Sequence, residues 1–223
     1  IGTLMSELDL GNNEFIHYEF HENVGKKTIV FSNSLGSDLS MWDPQVEYFK
    51  DQYQLICYDK RGHGKSSPVE GPYTFDMLEN DVISIMDQLG IDKAHFIGLS
   101  MGGMTSLGLA LKHSNRFNKL VCCAARADMP PPAIEAWDQR MAVVENIGTQ
   151  GVVQSSLERW FSDEFRNDFS NNQILEKAGE MIKSTSTHGY IGSCNAIKGL
   201  NYLRELGKIK KDFLFVSGEN DAG

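Results

Sequence analysis

Nowhere in these 223 residues do about 20 consecutive apolar residues occur, the length needed to span a bilayer. The first residues also lack the basic and apolar regions of a secretory signal. Basic clusters are equally scarce. Against 30 Asp and Glu stand 21 Lys and Arg, a net charge of −9, and the densest basic stretch is Lys208-Ile209-Lys210-Lys211. That balance argues against nucleic acid and anionic membranes as partners. With 41% hydrophobic and 23% charged residues, the chain also lacks the signature of disorder.

Cysteine is rare. Cys57, Cys122, Cys123 and Cys194 form no Cys-x-x-Cys pair, and adjacent residues in a strand point to opposite faces, so Cys122 and Cys123 cannot serve one metal. They are expected to be small buried hydrophobes in a reducing, cytoplasmic compartment. The spacing His-Glu-x-x-His is missing, as is a Gly-rich dinucleotide turn after the first strand. Gly64-Lys65-Ser66 is not the end of a phosphate loop, because Asp59 stands where that motif needs glycine. No metal and no cofactor is expected.

What is present is an alternation. Short apolar, mostly β-rich runs at 28–31, 54–58, 94–97, 119–123 and 213–216 suit parallel strands buried on both faces. The segment 14–20 alternates more evenly and reads as an antiparallel edge strand. Leu78, Val82, Ile85, Met86 and Leu89 recur at helical spacing, with Thr74 as N-cap and Gly90 as stop. Residues 104–112 read as a second helix. Pro130-Pro131-Pro132 then breaks the pattern, and helices are expected at 133–146, 152–161, 173–183 and around 190–203. The spacing predicts an α/β fold with a doubly wound, mostly parallel sheet. Core is expected at 1–129 and 208–223, with a helical cap at 130–207 inserted before the last strand.

The sharpest motif is Gly98-Leu99-Ser100-Met101-Gly102-Gly103, between a strand and a helix. That is the context of a nucleophile elbow: a tight turn exposes Ser100 at a helix N-terminus, and glycines allow the close packing. An oxyanion hole needs two backbone N–H groups. Met101 is expected to give one, and Leu35, in the polar loop 32–38, the other. The acid should follow a later strand, which places it at Asp221, with Asp128 in reserve. The general base is missing. In this fold it follows the acid, whereas His17, His21, His63, His95, His113 and His188 all precede Asp221.

These residues resemble the α/β-hydrolases, and more narrowly the 3-oxoadipate enol-lactonase family. The resemblance rests on 33–42, on Asp59-Lys60-Arg61-Gly62-His63-Gly64-Lys65-Ser66, on Gly71-Pro72-Tyr73-Thr74, on the elbow, and on Gly189-Tyr190, Cys194 and Ala196-Ile197. Asn33-Ser34-Leu35-Gly36 and the cap residues are its more specific parts. It implies a hydrolase acting on a small lactone that carries a carboxylate, by a Ser-His-Asp acyl-enzyme mechanism. It also implies a histidine on a loop beyond the acid, so the chain, starting at Ile1 and stopping at Gly223, reads as cut at both ends. Arg126, Arg140 and Arg159 are candidates for the substrate carboxylate. Competing readings are a general carboxylesterase, a cofactor-free haloperoxidase-type enzyme and a non-catalytic receptor on the same scaffold.

Overall fold

A computed structural model describes residues 2–221. Its sheet has seven strands among the described residues: β1 (Gly2–Gly11), β2 (Glu14–Glu22), β3 (Thr28–Ser32), β4 (Gln54–Tyr58), β5 (Ala94–Leu99), β6 (Phe117–Cys123) and β7 (Asp212–Val216). They lie in the order β1-β2-β4-β3-β5-β6-β7. From β4 onward every pairing is parallel, while β1 and β2 are antiparallel. One expectation is corrected here. The strand at 14–22 lies inside the sheet, because β1 covers its outer edge, an element the sequence reading lacked. Leu8 is the one well-buried side chain of β1, so its apolar signal is faint.

Side chains alternate across the sheet with the period of two that a pleat imposes. Val30, Ile56 and Phe96 point into a core filled by Val82, Ile85 and Met86 of α2 (Phe75–Gln88) and by Leu109 and Ala110 of α3 (Met101–Lys112). Ile29, Phe31, Leu55 and Cys57 point the other way, against Trp42 and against Val46 and Phe49 of α1 (Asp43–Phe49). The α2 boundaries follow the sequence signals. Thr74 accepts a hydrogen bond from the Met77 N–H, and Gly90 takes a positive φ just past the helix. By contrast α1 was not anticipated, and α3 starts three residues before the expected Met104. Gly102 and Gly103 are poor helix formers, but the close packing of this turn on the sheet overrides propensity.

Between β6 and β7 come α4 (Pro131–Ile147), α5 (Val153–Trp160), α6 (Asp163–Asn167), α7 (Asn172–Ser184) and α8 (Thr187–Lys198). The last is shorter than the stretch around 190–203 suggested, since Gly199 caps it and 203–208 form 3-10 turns. No helix among the described residues is long and apolar enough to cross a membrane. The helical layer is joined to the sheet at glycines. A Cβ on Gly62 would lie 2.1 Å from the Gly189 Cα, and one on Gly71 would lie 2.7 Å from the Gly192 Cα. The Ser186 N–H donates to the Gly62 carbonyl, and the Tyr73 N–H to that of Gly192.

Gly189→Ala tests this joint. Inside a helix, alanine is normally favoured by about 1 kcal/mol. Here the added methyl meets the Gly62 backbone at 2.5 Å, so we expect a net loss of roughly 1–3 kcal/mol in denaturant unfolding. A gain in stability would show that the contact can relax freely.

Candidate active site

Register places the chemistry at one end of the sheet. Ser32 pairs with Gly98, Leu99 with Cys123, and Cys123 with Val216. The segments carrying Leu35, Ser100 and Asp221 therefore all leave from the carboxyl ends of parallel strands, where α/β sheets bind ligands.

Ser100 sits between β5 and α3 at φ 53° and ψ −112°, a strained conformation for a residue with a Cβ. Its N–H donates to the Cys123 carbonyl at 2.8 Å, and its carbonyl accepts from the Met104 N–H at 2.9 Å. A Cβ on Gly98 would lie 2.1 Å from the Gly102 oxygen, and one on Gly102 would lie 2.2 Å from the Ser32 oxygen. Both flanking glycines are thus required by backbone contact. The Met101 N–H opens α3 and has no protein acceptor among the described residues.

The loop after β3 is held from below. The Gly36 N–H donates to His63 Nε2 at 3.0 Å, and the Leu39 N–H to Asp59 Oδ1 at 2.7 Å. The Ser37 N–H donates to the Ser34 carbonyl and the Asp38 N–H to Met181 Sδ. The buried Lys60 Nζ donates to the carbonyls of Asn33 at 2.5 Å and Ser34 at 3.2 Å. Leu35 is left with an N–H that no protein group accepts, although the residue is buried. The side chains of Leu35 and Met101 share an apolar cluster with Tyr190, Cys194, Trp137 and Trp160 of the helical layer.

Charge is tuned by burial in this clamp. Burial, helped by the Lys60 charge, pushes the His63 imidazole down to about 3. It is neutral at pH 7, with Nδ1 donating to the Arg61 carbonyl and Nε2 accepting from Gly36. Burial also raises the Asp59 carboxyl. Arg61 forms a bidentate pair with Asp81 at 2.7 Å. The Asp59 to Ser66 motif, read in the sequence as a general hydrolase mark, is the structural seat of the 33–39 loop. Lys60 is the participant that sequence reasoning missed. Its place directly beside Asp59, at the end of an apolar strand run, was the available signal.

Asp221 follows β7 on an exposed turn, its N–H donating to the Gly218 carbonyl at 3.2 Å. The reserve acid, Asp128, pairs with Arg126 at 3.5 Å and bridges to Asn201. No hydrogen bond joins Ser100 to any of the six histidines among the described residues. Both ring nitrogens of His63 are committed, His17 and His21 lie in β2, His95 near the start of β5, His113 past the far end of α3, and His188 is exposed on α8. Of the candidate cations, Arg140 donates to Ser156 Oγ and Tyr190 OH, and with Arg159 it flanks Trp137, each guanidinium 5.5 Å from the ring. Partial desolvation, then the Arg140 charge, hold Arg159 below the usual arginine range, and its field reaches Asp221. Asp221 is thus a carboxylate whose charge acts on Arg159. No group of three or more His, Cys, Asp or Glu among the described residues is arranged to hold a metal.

Residues 27–222 match the alpha/beta hydrolase fold family. Two 3-oxoadipate enol-lactonases of Acinetobacter baylyi are 36% and 38% identical over 206 and 193 residues. These alignments cover 92% and 86% of this chain and 76% and 71% of those proteins. The crystal structure of the enol-lactonase from Burkholderia xenovorans is 35% identical, with a TM-score of 0.86 over 93% of this chain and 79% of that one. A hydrolase from Pseudomonas aeruginosa gives 0.89 at 31% identity, over 96% and 80%.

Two outcomes check this geometry. Because Ser100 holds a positive φ, Ser100→Gly should be more stable than Ser100→Ala by about 1 kcal/mol in chemical unfolding, and equal stabilities would remove the strain. The unfolded chain takes up a proton on His63 near pH 6.5, whereas the folded chain refuses it until about 3. Unfolding free energy should therefore fall as pH drops through that window, and less steeply in His63→Asn. Parallel pH profiles for the two proteins would show that His63 titrates normally when folded.

Proposed function

The chain belongs to the α/β-hydrolase family, and from that premise we propose that it is a serine hydrolase opening 3-oxoadipate enol-lactone to 3-oxoadipate, in aromatic catabolism. The observation that carries this reading is the pair of unspent backbone donors, Leu35 and Met101 N–H, on the two loops around a strained Ser100. Enol-lactonase relatives above 30% identity support the substrate class.

In this mechanism Ser100 Oγ gives its proton to a histidine and attacks the lactone carbonyl carbon. The tetrahedral oxyanion takes hydrogen bonds from Leu35 and Met101 N–H. Collapse breaks the ring C–O bond, and the histidinium protonates the enol oxygen, which becomes a ketone within the same molecule. Water, deprotonated by the histidine, then hydrolyses the acyl-serine. Asp221 orients the histidine and stabilises its charged form. The base is assigned to a histidine that follows Asp221 in chain order, a place that none of the six histidines takes. Arg140 and Arg159, two cations gathered at the Trp137 ring in a chain of net charge −9, are assigned to the substrate carboxylate.

The protein expressed from its whole coding sequence should hydrolyse the enol-lactone, and Ser100→Ala should lower kcat by at least roughly 10³-fold. Arg159→Glu should raise KM for the lactone by about tenfold or more and leave a neutral ester within about twofold. No turnover of any ester would sink the reading. A preference for neutral esters would instead indicate a general carboxylesterase.

A further inference from the structure

Lys60 follows β4 and its side chain is buried, yet no carboxylate lies within ion-pair distance of it among the described residues. Its ammonium is spent on the two carbonyls of Asn33 and Ser34. The second of these matters for chemistry. The Ser34 carbonyl and the Leu35 N–H belong to one peptide group. A cationic donor on that carbonyl draws charge through the amide, so the N–H on its far side becomes a stronger donor. The neighbouring peptide is fixed as well, by His63 Nε2 on the Gly36 N–H.

We infer that Lys60 is a positioning residue for the oxyanion-binding amide: its ammonium fixes and polarises the Ser34–Leu35 peptide and presents the Leu35 N–H as an enhanced donor. The inference rests on the proposed role of Leu35. Burial pushes Lys60 down to about 7, so the polarising charge is itself gated near neutrality. The ionisable groups that share its surroundings are Asp59, which favours its charged form, and His63, which feels the lysine charge in return. Asp38 acts on Asp59 from the loop above. A lysine that merely filled two acceptors would hold the loop but would not couple its titration to the Leu35 amide.

The test is solution NMR of the chain between about pH 5.5 and 9, following the backbone amides and the lysine side chains. The Leu35 amide shift should move with the same midpoint as the Lys60 side chain, near 7, and Lys60→Met should abolish that movement. A pH-invariant Leu35 amide in the unmodified protein overturns the inference, whether or not the variant folds. So does a titration that survives in Lys60→Met. In kinetics the variant should lose about tenfold in kcat with KM within about twofold, less than the 10²–10³ lost when a donor is deleted. An amide coupled to Lys60 in a protein that turns over no ester would defeat the proposed function and leave the coupling standing. Turnover with an uncoupled amide would defeat the coupling alone.

Discussion

The site depends on how the backbone after β3 is pinned to the turn after β4. Segment 33–39 has little apolar surface, and its conformation is set by Asp59, Lys60 and His63, each buried and each bonded to a different peptide group. Buried polar groups are costly when unmatched, so this network has one low-energy arrangement. Gly64 is part of it, since a Cβ there would lie 2.3 Å from the Asp59 carboxyl carbon. Leu35 N–H is among the loop amides to which this network gives no acceptor among the described residues.

The elbow also touches the exit of β3 through its backbone. Gly102 rests on the Ser32 carbonyl, so the first turn of α3 and the exit of β3 approach as closely as two chains can without side chains between them. Packing of that kind transmits position stiffly, because a shift in the loop has no flexible side chain to absorb it. Over it lies a helical layer whose face toward the site is aromatic and cationic, with Trp137, Trp160 and Tyr190 beside Arg140 and Arg159. An acidic protein thus gathers two arginines at one aromatic ring of this layer.

Much of this was legible beforehand. The parallel strands are continuous apolar runs, and such runs announce themselves. Thr74 and Gly90 marked α2, and the glycines around Ser100 marked the elbow. Less legible were β1, with one well-buried side chain, and α1, only seven residues long. The ends of α3 and α8 moved for the same reason. Gly102, Gly103 and Gly199 carry weak local preferences, and packing decided which of them stayed helical.

Residue types and spacing by themselves determined the fold class and the tight strand-to-helix turn at Ser100. Those features are local, arising from periodicity, from propensity and from the steric needs of a strand-to-helix turn. Only the tertiary structure decided that Lys60 and His63 serve the loop of Leu35, and that Arg140 and Arg159 both come to the Trp137 ring. The loop contacts and the approach of Arg159 to Trp137 join segments far apart in the chain. Their energies exist only once burial has removed water and closed the distances, which no one-dimensional pattern encodes.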